Sequence, residues 1–332
     1  TKDGILLNNE YSQRIFDGEP EDAVVKEAYA NMDLDAPLAP IQALSTVKQI
    51  DFFIPVIHGN LGEDGTVQGL FRLLKKPYIG SGIAASAMSF DKDLTKKIIT
   101  QAGIRNTPYI LLTPENRDQY DWHAIQEELG DLVFVKPAKQ GSSVGIHKVE
   151  NEAELKAALD DAFKYDFKVL VEQGIDHPRE IEISILGNEH PIASKLGGIR
   201  VPSDDPFYDY ENKFVDASGV VFDLPVILPD DLTQEITDMA LKAYKALGMK
   251  GLCRIDFLVD QNNVPYLSEP NTLPGFTNIS LYPQMWEVSG IKYSDLIDRL
   301  IKLGLEEFER QEQIKYDFQS LGEEKVGKKE YH

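Results

Sequence analysis

The alternation of apolar and polar residues predicts a chain of short strands and helices. Strands are expected at 109–113 and 131–138, in DFFIPVIH, FKVLVEQGI and REIEISIL, and in the pair 252–259 and 264–269. Helices are expected near 20–31, 122–129, 151–163 and 231–247, in SDLIDRLIKLGLEEFERQEQ, and in ASAMSFDKDLTKKIITQAG, which Gly103 should end. This mixture indicates the α/β fold class, with α+β lobes.

The stretch 251–280 predicts a β-hairpin that presents oxygen ligands. A two-residue turn at 262–263, where both residues are asparagine, would place Asp256 opposite Glu269. Asn271 follows Glu269 by two positions, so both side chains should project to the same side of the extended chain. Three oxygen-bearing side chains would then converge at one place.

Two facing carboxylates repel each other unless a cation lies between them, and all-oxygen ligation favours a hard ion such as Mg²⁺. Arg254 precedes Asp256 by two positions, so it would share that face and could hold an anion beside the metal. The alternative is an exposed acidic hairpin with a surface salt bridge. The short motif alone leaves both interpretations open.

Two glycine-rich loops are candidates for a ligand site. HGNLGEDGTVQG connects a predicted strand to the helix GLFRLL, and it could line a site or form a tight turn. KQGSSVGIHKV follows Lys136 at the end of a buried strand and offers backbone amides and small hydroxyls. That second loop could close over a triphosphate neutralised by Lys136 and Lys92, or it could be a mobile surface hairpin.

Strand glutamates and a long loop complete the candidate features. Glu172, Glu180 and Glu182 could accept hydrogen bonds from an adenine amine or from ribose hydroxyls, although most strand glutamates face water. The segment 200–222 combines turn-forming residues with aromatic residues, which ordinary linkers lack. We interpret it as an active-site flap, with a packed Ω-loop as the alternative.

Composition narrows the classes of function. The 332 residues suffice for two or three domains, and 34 basic against 55 acidic residues give a net charge of -21, which disfavours nucleic acid and anionic membrane as partners. The single cysteine, Cys253, cannot form an internal disulfide and indicates a buried thiol in a reducing compartment. With neither a membrane-length apolar run nor a signal peptide, a cytoplasmic protein is expected.

Together the motifs resemble those of the D-alanine:D-alanine ligases, members of the ATP-grasp fold. The matching segments, in the family's order between about residues 50 and 312, are HGNLGEDGTVQG, SFDKDLTK, FVKPAKQGSSVG, FYDYENKF and CRIDFLVDQNNVPYLSEPNTLPGFTNIS. The resemblance implies three lobes at 1–88, 89–174 and 175–314, a flap at 202–219 and a tail at 315–332. The family's first strand and its glycine-rich loop have no match, so a truncated N-terminal lobe is expected.

The resemblance also implies a reaction and its residues. Members phosphorylate the carboxylate of D-alanine with ATP and two Mg²⁺ ions, for which Mn²⁺ can substitute, and a second molecule displaces phosphate from the D-alanyl phosphate in peptidoglycan synthesis. The implied metal ligands are Asp256, Glu269 and Asn271. The implied nucleotide-binding residues are Lys92, Lys136, Ser143, Glu172, Glu180, Phe207, Lys213 and Leu258. The implied catalytic residues are Ser142, Arg254, Gly275 and Ser280, and the implied substrate residues are His58, Phe214, Ser280 and Leu281. A homodimer is also implied.

The sequence departs from the family pattern at two positions, Pro270 and Phe214. Pro270 lies between two ligands where an aliphatic residue is common, and because it lacks an N–H we expect only local effects. The flap motif ends in Phe214, whereas dipeptide-forming members have a tyrosine whose hydroxyl bonds to the serine matching Ser142. Members with this phenylalanine resemble D-alanine:D-lactate ligases of bacteria that are intrinsically resistant to vancomycin.

Loss of one hydroxyl from a closed site is worth about 1 to 3 kcal/mol, and lactate's hydroxyl carries no charge at neutral pH whereas an amine does. We therefore expect D-alanine and D-lactate as the substrates, together with vancomycin resistance. An ordinary dipeptide ligase and a non-catalytic ATP-binding protein are the alternatives.

Overall fold

The computed structural model describes residues 9–31, 50–141, 143–200, 221–277 and 280–315. Its helices are α1 (Asn9–Phe16), α2 (Glu21–Asn31), α3 (Thr66–Leu73), α4 (Ile83–Phe90), α5 (Lys92–Gln101), α6 (Trp122–Leu129), α7 (Glu152–Ala162), α8 (Asp230–Ala246), α9 (Leu281–Val288) and α10 (Tyr293–Glu312). Its strands are β1 (Tyr109–Leu112), β2 (Val133–Pro137), β3 (His147–Val149), β4 (Val169–Gln173), β5 (Arg179–Gly187), β6 (Ile192–Ala193), β7 (Gly197–Arg200), β8 (Val221–Asp223), β9 (Gly251–Val259) and β10 (Pro265–Asn271).

The strands form two antiparallel sheets. The first sheet has the order β1-β4-β2-β3, and the second has the order β10-β9-β5-β7-β8, with β6 added to β5. β5 and β9 pair along their whole length, from Arg179 opposite Val259 to Gly187 opposite Gly251. Because β9 has a long partner on each side, it forms a rigid base for the hairpin with β10.

Each sheet has its own hydrophobic core. On the first sheet, α6 and α7 cover Val133, Val135, Val169 and Val171. On the second sheet, α8 and α5 cover Cys253, Ile255 and other buried residues of β9 and β5, while α9 and α10 pack around Tyr282 and Trp286. Cys253 is fully buried, as predicted. In β9 the positions between the buried ones, from Arg254 to Leu258, are only half-buried, so this face remains available for a site.

Several predicted helices are confirmed within a residue or two. The segments expected near 122–129, 151–163 and 231–247 are α6, α7 and α8. Asp121 and Asn151 accept hydrogen bonds from backbone amides in the first turns of α6 and α7. These two side chains explain where the helices begin, because short polar side chains satisfy the free amides of a first turn.

The prediction of one helix through ASAMSFDKDLTKKIITQAG is wrong. Asp91 has an extended backbone, with ψ 104°, and separates α4 from α5. Its carboxylate accepts hydrogen bonds from the amides of Asp93 and Leu94, so it caps a new helix. Gly103, with φ +68°, ends α5 as predicted. The break places Lys92 at the first position of α5.

The prediction of a strand in DFFIPVIH is also wrong within the described residues. There the segment forms a single parallel bridge, between Phe53 and Tyr78. Pro55 has no backbone N–H and cannot continue a ladder on that side. The segment instead runs as an extended connection into the loop at His58.

Some predictions about organisation stay predictions. The flap at 202–219 lies outside the described residues, although β7 and β8 on either side of it pair with each other. The separate cores of the two sheets agree with distinct central and C-terminal lobes, whose boundaries stay predictions. No helix in the described part of the chain is both long and apolar enough to cross a membrane.

Candidate functional site

The hairpin of β9 and β10 places Asp256 directly opposite Glu269, as predicted. The predicted two-residue turn, however, is wrong. The loop spans three residues, 261–263, and closes with the amide of Asp260 donating to the carbonyl of Val264. That loop shifts the register by one, and a bulge at Ser268 shifts it back before Glu269.

Arg254 joins two carboxylates of the same sheet face. Its guanidinium donates to both oxygens of Asp256 at 2.8 Å, through Nε and Nη2. Its Nε also lies 3.0 Å from Oε2 of Glu182, which is opposite Asp256 on β5. Asn271 completes the group by donating to Asp256 Oδ2 at 2.9 Å. The four side chains therefore form one network.

Burial and neighbouring charges oppose each other in this network. Burial raises the pKa of Asp256, the Arg254 guanidinium lowers it, and with the Glu269 carboxylate close by the pKa stays above its ordinary value. Burial would lower the pKa of Arg254, but the Asp256 and Glu182 carboxylates outweigh it and raise that pKa. The site thus holds more negative charge than Arg254 alone neutralises, which suits a further cation.

Lys92 connects the hairpin to the second glycine-rich loop, which follows β2. Its ammonium donates to the carbonyl of Gln140 at 2.6 Å and lies 3.6 Å from Glu269 Oε2. Its backbone amide donates to the carbonyl of Ala138. Lys92 is therefore held between the loop that follows β2 and the acidic hairpin, where its charge faces both.

The residues present fit a hard metal ion. Within the described residues there is no group of three or more His, Cys, Asp and Glu side chains arranged to hold a metal. The predicted set contains two carboxylates and one amide, and Mg²⁺ that is bound by so few protein groups commonly shares its shell with phosphates. Asp256, Glu269 and Asn271 do converge, so the donor set agrees with a nucleotide-associated ion rather than an all-protein metal site.

A second charged cluster lies on the first sheet around Glu172. Its Oε2 is 2.7 Å from the ammonium of Lys136, and its Oε1 is 2.7 Å from that of Lys96. Burial would raise the pKa of Glu172, but the two lysines outweigh it and hold that pKa well below its ordinary value. Burial also lowers the pKa of Lys96, against the attraction of Glu172. The predicted nucleotide residues Lys136 and Glu172 are thus in direct contact.

The backbone of the second glycine-rich loop, KQGSSVG, would let a ligand approach closely. Ser143 has φ +62°, and its buried hydroxyl has no hydrogen-bond partner among the described residues. Gly145 has φ +70°, and a Cβ there would lie 2.7 Å from the ring of Tyr165. A left-handed backbone and a buried hydroxyl without a partner among the described residues are typical of a loop that binds an anion such as phosphate.

The loop at His58 connects with the end of the hairpin. Nδ1 of His58 lies 2.9 Å from the carbonyl of Leu273, and Glu63 accepts hydrogen bonds from the amides of Gly59 and Leu273. Burial raises the pKa of Glu63 despite those two amide bonds. The loop therefore lies beside Asn271, which agrees with the predicted substrate side of the site.

The segment after the hairpin ends at the start of α9. Ser280 precedes that helix, and its Oγ accepts from the amide of Thr277 at 3.0 Å. A Cβ at Gly275 would lie 2.9 Å from Ser280 Oγ, so glycine permits this close approach. Leu281 is buried at 7% exposure, which favours a packing contact over an open binding position.

The remaining predicted residues divide into two groups. Glu180 and Leu258 are half-buried and face each other across β5 and β9. Ser142, Phe207, Lys213 and Phe214 lie outside the described residues. The structure therefore describes the hairpin, the predicted lysines Lys92 and Lys136, and the glutamates Glu172 and Glu180 that were predicted to bind the nucleotide.

Family models match most of the chain. A model described as "D-ala D-ala ligase C-terminus" matches residues 98–302, and one described as "D-ala D-ala ligase N-terminus" matches residues 1–81. The chain belongs to the D-alanine:D-alanine ligase family. The N-terminal match extends the resemblance well before residue 50, where the sequence motifs began.

Relatives and solved structures agree with this membership. Proteins named D-alanine--D-alanine ligase from Limosilactobacillus fermentum and Lactiplantibacillus plantarum are 80% and 63% identical to it, over 100% and 98% of this chain and 88% of each relative. The D-alanine-D-alanine ligase structure from Coxiella burnetii has a TM-score of 0.71 at 35% identity, covering 79% of this chain and 70% of that one. The Bacillus anthracis ligase complexed with ATP has a TM-score of 0.69 at 31% identity, covering 82% and 84%. The fold is therefore ATP-grasp, as predicted.

The expectation of D-lactate as the acceptor is wrong. The relatives from Limosilactobacillus fermentum and Limosilactobacillus reuteri, 80% and 78% identical over the whole chain, are both named for the dipeptide ligase. The argument depended on the absence of one hydroxyl at Phe214, and the similarity of the whole chain to relatives named for the dipeptide ligase outweighs it. The expectation of vancomycin resistance followed from D-lactate as the acceptor, so it is withdrawn as well.

Sequence reasoning missed the contacts of three residues around the candidate site. Glu182 was considered with Glu172 and Glu180 as an acceptor for adenine or ribose, and its pairing with Arg254 follows once β5 and β9 are known to be neighbours. Glu63 stands in the predicted loop, but its contact with Leu273 joins distant segments. Lys96 follows Lys92 by four positions on one helix, a spacing that indicates a shared face.

Proposed function

We propose that the chain uses ATP to join two molecules of D-alanine. The observation that carries the proposal is the pairing of Asp256 with Glu269 beside an Arg254 that is held on both sides by carboxylates. A protein that only bound nucleotide would have little use for such an arginine. Membership of a carboxylate–amine ligase family, with relatives named for the dipeptide, supports the same conclusion.

In this proposal, the nucleotide lies between the two sheets. Lys92 and Lys136 contact its phosphates, and the unpartnered hydroxyl of Ser143 donates to one of them. Glu172 and Glu180 hold the base and the ribose, and Leu258 borders the base. Phe207 and Lys213 are proposed for the same site on the resemblance alone.

Asp256, Glu269 and Asn271 would hold Mg²⁺, with Mn²⁺ as a possible substitute. When bound, the metal neutralises charge on the transferring phosphoryl group and makes phosphate a better leaving group. Asp256 would then exchange part of its contact with Arg254 for the ion. The freed guanidinium, together with the amide of Gly275, would stabilise the oxyanion formed when the amine attacks.

The loop at His58 and the start of α9 would position the amino acids. His58 lies beside the carbonyl of Leu273, next to the hairpin end, and Ser280 presents its hydroxyl at the N-terminus of α9. A carboxylate at a helix N-terminus is stabilised by the free amides there. Ser142 and Phe214 are assigned to the acceptor side on the resemblance. A cytoplasmic homodimer also stays a prediction.

Product analysis tests the proposal. The purified protein would be incubated with ATP, MgCl₂, D-alanine and an equal concentration of D-lactate, and the products identified by mass spectrometry. We expect D-alanyl-D-alanine, together with ADP and phosphate. Ester as the main product, or ATP binding without any ligation, would contradict the proposal.

An Asp256→Asn variant serves as the matched loss-of-function variant. Asparagine has nearly the same shape but neutralises one of the two facing carboxylates, so the Mg²⁺ requirement should rise and dipeptide formation should fall. Asp260→Asn, immediately before the hairpin loop, is the control for general effects on the hairpin. If Asp256→Asn were as active as the wild type, the carboxylates of the hairpin would have no role in the reaction.

A further inference from the structure

Glu172 is a buried carboxylate that contacts two lysines. It is 5% exposed, and Lys96 at 2% exposure is buried even more deeply. The Lys96 ammonium lies 2.7 Å from Glu172 Oε1 and donates to the carbonyl and the hydroxyl of Thr107 at 3.0 Å. The Thr107 hydroxyl in turn donates to the same Glu172 oxygen. Lys96 is therefore fixed in place and cannot itself reach a ligand.

Lys136 differs from Lys96 in how it is held. Its ammonium contacts the other oxygen, Oε2, at 2.7 Å, and its side chain is 16% exposed against 3% for Lys96. It extends from β2, immediately before the loop that carries Ser143. Of the two lysines on Glu172, Lys136 is the one placed to turn towards a nucleotide phosphate.

The charges of the cluster indicate that Lys96 must be positively charged if Lys136 is to leave Glu172. Two ammonium groups and one carboxylate leave the group with one net positive charge. If Lys96 were neutral, Glu172 and Lys136 would form a closed ion pair, and a phosphate could draw Lys136 away only by leaving a buried carboxylate without a cation. An unpaired buried charge is strongly unfavourable.

We propose that Lys96 is a positioning residue of the nucleotide site, which keeps Glu172 paired while Lys136 moves onto a phosphate of ATP. This inference rests on the proposed function, because it takes ATP as the ligand. Lys96 acts through Glu172 and Lys136 and contacts neither the nucleotide nor the reacting atoms. Its loss should weaken ATP binding while leaving the chemical step nearly unchanged.

The experiment compares Lys96→Met with Lys97→Met in the protein studied. Methionine keeps the length of the side chain without its charge. Lys97 is the next residue of the same helix, its side chain is 58% exposed, and it pairs with Asp93 rather than Glu172. We expect the Kd for ATP to rise about ten-fold or more in Lys96→Met, the scale of one charged hydrogen bond, with little change in Lys97→Met. An equal Kd for the two variants would overturn the inference.

A second substitution separates charge from simple packing. In Lys96→Met with Glu172→Gln, Lys136 regains a free positive charge, so the double variant should bind inorganic tripolyphosphate more tightly than Lys96→Met alone. Tripolyphosphate has no base, so its binding does not depend on contacts of Glu172 with adenine. A double variant that binds no better than Lys96→Met would show that Lys96 is merely structural and overturn the inference.

Two further controls keep the outcome clear. If Lys96→Met does not fold, Glu172→Gln alone still tests the charge argument, because it leaves two lysines and should bind tripolyphosphate at least as tightly as the wild type. Weaker binding there would overturn the inference. A wild-type protein that does not bind ATP would contradict the proposed function itself, whereas normal ATP binding by Lys96→Met would contradict only the role of Lys96.

Discussion

Replacing Arg254 with methionine tests the charge balance of the acidic face. Arg254 is the cation shared by Asp256 and Glu182, with contacts of 2.8 and 3.0 Å. The side chains of Arg254, Asp256 and Glu182 are 22%, 19% and 5% exposed, so the group is largely shielded from water. Methionine would leave two neighbouring carboxylates without their common partner.

The expected magnitude follows from the cost of leaving a buried charge unpaired. Removing one partner of a buried ion pair typically destabilises by about 3 to 5 kcal/mol, and partial exposure of the pair favours the lower end. We therefore expect Arg254→Met to lower the free energy of unfolding by about 3 kcal/mol at neutral pH. Dipeptide formation should fall sharply as well, because the amide of Gly275 would be left to stabilise the oxyanion without a positive charge beside it.

The effect should depend on pH in a defined direction. The pKa of Asp256 already lies above its ordinary value, and loss of the arginine would raise it further. A carboxyl group with a raised folded-state pKa favours the folded protein in its neutral form, so the destabilisation should shrink as the pH falls towards that pKa. The sign is therefore opposite to that of a salt-bridged acid with a lowered pKa.

Urea unfolding at two pH values, neutral and mildly acidic, would measure the effect. Arg310→Met is the matched control, because Arg310 pairs with Glu189 at the surface and both side chains are more than half exposed. Its loss should change the free energy of unfolding by less than about 1 kcal/mol. An Arg254→Met protein as stable as Arg310→Met, or one that becomes relatively less stable in acid, would refute the reasoning.

Three further predictions concern other parts of the fold. Gly145→Ala should strain a left-handed backbone and press its Cβ against Tyr165 at 2.7 Å, costing about 1 to 2 kcal/mol and weakening ATP binding, as thermal unfolding and the KM for ATP would measure. Tyr244→Phe removes a buried hydrogen bond of 2.6 Å to the carbonyl of Gly187 and should cost about 1 kcal/mol in urea unfolding without changing dipeptide formation. Glu172→Gln should lower the free energy of unfolding most at neutral pH, because the pKa of Glu172 is lowered in the folded protein. Its difference from the wild type should shrink progressively only as the pH falls below the ordinary glutamate pKa of about 4.3 towards the lowered folded-state pKa. A uniform effect of Glu172→Gln across pH would contradict the last prediction.

The sequence predicted well wherever local chemistry decides the structure. Helix starts at Asp121 and Asn151 depend on a side chain two or three residues from its partner, so capping rules locate them. The break at Asp91 obeys the same rule, but the apolar period running through ASAMSFDKDLTKK concealed it. The strand predicted at 51–58 failed because strand formation needs a neighbour, which local composition does not supply.

The candidate site shows the same contrast between local features, which the sequence predicted, and contacts between distant elements, which it did not. The facing of Asp256 and Glu269 was predicted from spacing, yet the correct result came from two compensating features, a three-residue loop and a bulge at Ser268. The contacts of Glu182 with Arg254 and of Lys96 with Glu172 join different elements. Such contacts depend on strand order and helix packing, which a single sequence without its fold does not specify.

Isotope transfer tests the central claim most directly. D-alanine labelled with ¹⁸O in its carboxylate would be incubated with the protein, ATP and MgCl₂, and the nucleotide and phosphate products examined by mass spectrometry. If the carboxylate takes the terminal phosphoryl group before the amine attacks, each dipeptide should be accompanied by ADP and by phosphate carrying one labelled oxygen. Unlabelled phosphate, or label found in AMP, would contradict the account.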